Sequence, residues 1–299
     1  MSFANEVRVE VRKTINDRDK KFACLYGILL YSRVFTEKQI CFQTESSEVA
    51  ALVPELFKSV FGERLVSTER TESGGVSFVI TDSKFIGKIC STYKIDPVCR
   101  EINMRNMVNN STGAFLAGAF FICGSVIDPN KEYHLEFVVP TELLCSDLNA
   151  VLGSFGVSGR IIQRKKSYIL YLKDSECIED TLTFMGAQQC TMDIMNVKIR
   201  KDMRNKANRL RNCDEANINK VVNAAMRQTE DILLLMKYNE LENLSPEIRE
   251  VAGLRIENPE LSLKEIGELL TVPIGRSGVN HRFKKIAAAA KELRENGCK

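Results

Sequence analysis

The chain contains no tryptophan, only seven tyrosines and only two histidines in 299 residues. Without tryptophan and with few tyrosines, it lacks the aromatic platforms that stack single-stranded nucleic acid. Its histidines are His134 and His281, and none of its ten cysteines forms a C-x-x-C pair. The common zinc sites are therefore excluded, and the cysteines read as free thiols of a reducing cytoplasm. No metal or other cofactor is expected. The longest apolar stretch, fifteen residues at 113–127, falls short of the roughly 20 of a membrane helix, so no membrane partner is expected either. The opening MSFANEVRVEVRKT is charged and amphipathic, unlike a signal peptide. Net charge is only +3, so global basicity does not argue for nucleic acid, and the placement of charge must decide.

What the chain does have is GAFLAGAFFICGSVI at 113–127, which carries no charge. This predicts a buried helix over 112–126, rich in glycine and alanine. Glycine inside a helix costs about 0.8–1 kcal/mol relative to alanine, a cost usually accepted where another backbone comes close. Ala23–Ser32 offers the partner. Shifted by 91 positions it lies on 114–123, with Ala23 on Ala114, Leu25 on Leu116 and Gly27 on Gly118. Both stretches are followed by a turn, an alternating strand, a helix and two more strand-like runs. One α/β unit is thus expected twice, with Gly27 and Gly118 where the two helices meet.

Leu116, Ala117, Gly118 and Gly124 resemble the LAGLIDADG motif of homing endonucleases. The resemblance implies two motif helices at a domain interface, each bringing an acid to a catalytic divalent metal. At the eighth motif positions this chain has Ser32 and Cys123 instead. Neither replaces a carboxylate for hard Mg²⁺, so no catalytic residue and no metal site are expected.

Along the chain, a helix over 2–16 capped by Ser2 comes first, then the first motif copy at 22–33. Strands are predicted at 39–44, 65–71 and 76–81, the last two a hairpin around Ser73-Gly74-Gly75, with helices at 48–61 and 83–93. The second copy supplies a strand at 133–139, a helix at 143–155, a hairpin of 160–163 with 168–172 tipped by Arg164-Lys165-Lys166, and a helix at 176–186.

From Met192 the strand pattern stops. Residues 198–211 hold seven basic residues against Asp202, a net of +6. Lys201 and Arg204 there, with Lys165 at its hairpin tip, are read as phosphate contacts rather than a merely solvated face. Asn212-Cys213-Asp214 reads as a helix break, with Asn212, Asp214 and Asn217 as caps, before a connector helix over 217–238.

Near the C-terminus, Ser245-Pro246 starts a helix that ends at Asn258-Pro259. Ser262 and Glu265 form a capping-box pattern for a short helix over 263–270. A turn over 271–275 leads to a helix over 276–294 with Val279, Phe283, Ile286 and Ala290 inward. Short helix, tight turn and basic helix make a helix-turn-helix pattern. Arg276, Ser277, Asn280, His281 and Lys284 lie on its outward face, and Arg282 and Lys285 add charge with no acid between 276 and 285. Arginine suits guanine and asparagine suits adenine in the major groove, and Gly278 would permit close approach. A helical hairpin that binds protein is the alternative.

A degenerate LAGLIDADG unit followed by a helix-turn-helix is similar to the WhiA family of bacterial transcription regulators. The stretches that carry the likeness are 113–137, 208–220 and 261–286. The resemblance implies a cytoplasmic, nucleoid-associated regulator of sporulation or of cell-division and chromosome-segregation genes, binding double-stranded DNA without cleaving it. The alternatives are an active LAGLIDADG endonuclease, or a scaffold bound to another regulator or an RNA polymerase subunit. The expected fold is α+β: a duplicated αββαββα domain at 1–192 (repeats about 1–95 and 96–192), basic and connector helices at 193–240, and an all-α helix-turn-helix domain at 241–299.

Overall fold

The computed structural model describes residues 2–62, 67–71 and 74–296, and the chain divides into two compact units, 1–201 and 202–299. The first unit opens with α1 (Phe3–Thr14) and then runs twice through one order of elements. The first pass is α2 (Arg18–Leu30), β1 (Val34–Phe35), β2 (Ile40–Thr44), α3 (Ser47–Phe61), β3 (Ser67–Arg70), β4 (Val76–Ile80) and α4 (Ser83–Tyr93). The second is α5 (Thr112–Cys123), β5 (Gly124–Val126), β6 (Leu135–Val139), α6 (Glu142–Gly153), β7 (Arg160–Arg164), β8 (Ser167–Leu172) and α7 (Ser175–Met185). Each pass builds an antiparallel sheet, ordered β1-β2-β4-β3 and β5-β6-β8-β7. The duplicated αββαββα architecture is present, and the two strand orders are the same.

Local chemistry sets the ends of these elements. Asp17 accepts the Lys20 N–H to start α2, and Asp82 and Asp174 do the same for α4 and α7. Gly62 and Gly186 close α3 and α7 at φ of +77° and +97°, where glycine carries no Cβ penalty. Strand alternation turns Phe42 and Phe78 inward in one sheet, and Phe137 and Leu170 in the other. Every residue of α2 from Ala23 to Leu30, and of α5 from Ala114 to Phe121, is buried. The two helices cross at their glycines. A methyl group on Gly27 would collide with the Phe115 carbonyl oxygen, and one on Gly118 with that of Cys24.

Several elements differ from the sequence-based expectation. The second motif helix stops at Cys123 rather than 126, because Gly124 turns to extended backbone and starts β5. The first motif helix spans 18–30 rather than 22–33, because Asp17 supplies an earlier cap. Ser2 holds the N-cap position of α1 but makes no side-chain cap bond. The short strands β1 and β5 were not expected from the residue pattern. In the first hairpin, Leu65 and Ser73 lie outside the described residues.

The expected break at 212–214 is absent. α8 runs unbroken from Gln188 to Lys237, 50 residues. It contains neither proline nor glycine, and an exposed Asn or Asp costs only tenths of a kcal/mol in a helix. Asn212, Asp214 and Asn217 therefore cap nothing; Asn217 contacts Cys213 one turn back. The start of α8 is held by Glu10 of α1, whose carboxylate accepts the N–H groups of Gln189 and Cys190 at 2.6 and 2.9 Å.

The second unit adds α9 (Pro246–Glu257), α10 (Leu263–Leu269) and α11 (Arg276–Asn296). Its core joins Ile232 and Leu235 of α8 to Ile248, Val251, Ile266, Val279, Phe283, Ile286 and Ala290. Arg294 binds Asp231 at 2.7 Å and ties α11 to α8. The apolar residues Met203, Leu210, Ile218, Val222 and Met226 of α8 are exposed instead of forming a packed stripe.

Candidate nucleic-acid interface

The helix-turn-helix is built from its caps and its turn. Ser262 accepts the Glu265 N–H while the Glu265 carboxylate accepts the Ser262 N–H, so the capping box is complete. Glu250 of α9 accepts both the backbone N–H and the hydroxyl of Thr271, at 2.6 and 2.7 Å, which fixes the start of the turn. These bonds hold the Glu250 carboxyl below its ordinary range. The Ile274 N–H donates to the Gly267 carbonyl at 3.1 Å, and a methyl group on Gly267 would collide with the Ile274 oxygen. Only glycine lets the turn fold back on α10 this tightly. The signal for it in the sequence is a glycine inside a short capped helix, Gly267, which was not singled out above.

α11 leaves that turn with Val279, Phe283, Ile286 and Ala290 buried. Arg276, Ser277, Asn280, His281, Lys284 and Lys285 are exposed. Two residues differ from expectation. Arg282 is half-buried and donates to the Glu247 carbonyl at 3.2 Å, so it braces α11 against α9. Gly278 packs under the Ile274 side chain rather than facing outward.

In the first unit, the ends of the two motif helices meet cations, not acids. The Ser32 hydroxyl is buried and donates back to Ile28 at 3.0 Å. The Cys123 thiol contacts the Ala119 carbonyl at 3.2 Å, and burial pushes its pKa up. Arg100 donates to the carbonyls of Leu30 and Ser32 at 2.9 and 2.8 Å. Arg8 donates to Gly124 at 2.7 Å and lies over the Phe120 ring. The pattern is crossed: Arg8 precedes α2 in sequence but caps α5, and Arg100 precedes α5 but caps α2. Burial lowers the pKa of both guanidiniums, though not enough to neutralise groups of this basicity. Among the described residues no group of three His, Cys, Asp or Glu side chains could hold a metal ion. Arg8 and Arg100 were not singled out from sequence, because bonds spanning about a hundred residues leave no local pattern.

Comparison with known proteins gives the family. Residues 112–204 match the WhiA LAGLIDADG-like domain, and residues 207–290 match the WhiA C-terminal HTH domain. The chain is 39% identical to the probable cell division protein WhiA of Thermoanaerobacter pseudethanolicus, over 99% of both chains. It is 36% identical to the protein of the same name from Clostridium tetani, again over 99% of both. The chain belongs to the WhiA family. Its fold also matches the crystal structure of full-length DUF199/WhiA from Thermatoga maritima, with a TM-score of 0.59 and 24% identity over 98% of this chain and 99% of that one.

In this WhiA chain the cations expected to touch phosphate divide by environment. Lys165 sits at the tip of the β7–β8 hairpin at φ +56° and is exposed, and Arg204 is exposed on α8. Lys201 is not free in the same way. Its ammonium donates to the Pro129 carbonyl at 2.7 Å and lies 4.5 Å from the Tyr133 ring centroid, which docks α8 onto its own unit. Lys198 is likewise paired with Glu176 at 3.1 Å. Arg204, Lys206 and Arg209 keep exposed charge, while Arg211 faces Glu215 at 3.7 Å. Among the described residues no helix is long and apolar enough to cross a membrane.

Proposed function

We propose that this WhiA-family chain is a sequence-specific regulator that binds double-stranded DNA through α11. The observation that carries the reading is the geometry of α10, the turn and α11. A complete capping box and a glycine-tight turn present a helix whose inner face is apolar. Its outer face offers Ser277, Asn280, His281 and Lys284 to base edges. The names of the curated relatives support genes of cell division as targets, and the family resemblance adds chromosome segregation and sporulation, with action at the nucleoid.

The chain acts without cleaving DNA. Supporting this, neither motif helix ends on an acid, and each ends on a guanidinium that would repel a divalent cation. A second reading, a protein partner such as another regulator or an RNA polymerase subunit on the first unit, has support in the sheet surface, where Val138 and Ile162 are exposed on the outer face of the second sheet.

Genome-wide mapping of bound sites, for the full chain and for a chain lacking residues 241–299, tests the proposal. Discrete sites that vanish with the truncation are expected. Unchanged sites would move the reader to the first unit or to a partner.

A further inference from the structure

Beside the start of α11 the second unit holds a cavity of about 360 Å³. Lys220 and Gln228 of α8, Arg255 of α9, Ser262 and Lys264 at the head of α10, and Arg276 at the head of α11 line it. Val221, Ala224, Ala225 and Leu263 form its apolar wall; four of the other six lining side chains are cationic and none is acidic. Arg255 is only 2% exposed. Its Nε donates to the Gln228 amide oxygen at 3.1 Å, and its Nη1 donates to the carbonyls of Leu261, Pro259 and Asn258. Each of these acceptors is neutral. Hydrogen bonds to carbonyls orient a guanidinium but leave its charge uncompensated, and a buried charge without a counter-charge is costly.

No nearby acid bonds to Arg255, and Glu260 acts on its charge through space alone. Glu265 is engaged with the Ser262 N–H in the capping box. Glu268 faces Lys264 at 3.7 Å in an exposed pair one turn along α10, the weakest kind of ion pair. Glu260 lies near enough to bias Arg255 but lines the neighbouring apolar cavity with Val222 and Met226. Lys220, Lys264 and Arg276 are exposed at the mouth, and Arg276 opens a 21-residue helix, whose N-terminal end favours negative charge.

We propose that this cavity seats a backbone phosphate of the DNA that α11 engages, clamped by Lys220, Lys264 and Arg276 over the buried charge of Arg255. The inference rests on the DNA-binding reading above. It changes two roles: α8 contributes a DNA contact at Lys220, and Arg276 serves the phosphate rather than a base. Base reading is left to Ser277, Asn280, His281 and Lys284.

The test is a salt titration of the full chain on the duplex enriched from random DNA and on a scrambled duplex. Wild type, Lys220→Ala, Lys264→Ala and Arg276→Ala are compared, with Arg227→Ala as an exposed α8 control. Each cavity variant should weaken both duplexes by the same factor and reduce the slope of log K against log salt by about 0.9, the value for one lost phosphate contact. Arg227→Ala should change neither. Unchanged slopes in the Lys220 and Lys264 variants overturn the clamp while DNA binding stands, and so does a loss confined to the enriched duplex. Wild type that binds neither duplex overturns the DNA reading and the clamp together. A parallel thermal titration with inorganic phosphate separates the sources. Saturable stabilisation abolished by Lys220→Ala, together with unchanged DNA slopes, assigns the cavity to a free anion and overturns the proposal.

Discussion

Arg100 ends the first motif helix on a cation: its Nη1 donates to the Ser32 carbonyl oxygen at 2.8 Å while the Ser32 hydroxyl turns back to Ile28. Four carbonyls at any helix C-terminus lack partners within the helix, and a half-buried end must find them elsewhere. Arg100→Met keeps the volume of the side chain and removes the bonds. It should destabilise the first unit by about 1.5–3 kcal/mol, the usual range for hydrogen bonds to a charged group. Chemical denaturation monitored in the first unit checks this, and a change below about 0.5 kcal/mol would show that water serves those carbonyls equally well.

The same cations bear on metal chemistry. Wild type should nick no duplex with Mg²⁺ or Mn²⁺. The double variant Ser32→Asp/Cys123→Asp should also stay inactive, because the new carboxylates would lie beside Arg100 and Arg8 and pair with them. Titration calorimetry with Mn²⁺ gives the readout. Heat from specific metal binding in the double variant would contradict the assignment. Asp128, which lies just past Gly124 and accepts two bonds from Asn130, is the acid to mutate if wild type did nick.

Gly27→Leu and Gly118→Leu should each overpack the crossing of α2 and α5. Each meets a backbone carbonyl, which cannot rotate away as a side chain can. A cost of about 1–3 kcal/mol or more is expected. Two unchanged melting curves would mean that the crossing relaxes.

On α11, Asn280→Ala should lower affinity for the preferred duplex by about 1–3 kcal/mol and leave scrambled DNA nearly unaffected. Competition binding between the two duplexes measures the ratio. An intact ratio would place discrimination elsewhere.

Acid should act on the second unit through Glu250. Its bonds from Thr271 depress its pKa in the folded state below the ordinary 4.5. A depressed carboxyl stabilises the fold above the ordinary value, and this is lost as pH falls through the folded pKa. Amide protection factors across residues 263–290 should therefore fall below about pH 4.5. Glu250→Gln should raise exchange at neutral pH and flatten that acid response. Glu247 and Glu265 are depressed too, so some response remains.

What the sequence disclosed was whatever is written locally or repeated. The 91-residue shift revealed the duplicated unit because both copies keep the same small residues where α2 and α5 touch. Ser262 and Glu265 announced a helix start because a capping box spans four residues. The inward set of α11 followed from helical spacing. The crossed caps of Arg8 and Arg100 stayed hidden because they join residues 116 and 68 positions apart. Lys201 looked like any cation of a basic run until Pro129 and Tyr133 folded beneath it. The expected break at 212–214 is absent because polar residues that cap helices elsewhere are tolerated in a solvated helix interior. Arg255 carries no local mark of burial; the path of residues 258–261 around its guanidinium makes it a buried charge.

Glu10 has a bearing on how the chain comes to be folded. α1 finds its partners in stages: Arg12 pairs with Glu48 and Glu55 of α3, Arg8 waits for Gly124, and Glu10 waits for Gln189 and Cys190, 179 and 180 positions away. During synthesis at roughly 5–20 residues per second, the Glu10 carboxylate stays without those partners for about ten seconds or longer. A ribosome stalled before residue 189 therefore carries an α1 that can lie on α3 while its link to α8 is still unmade.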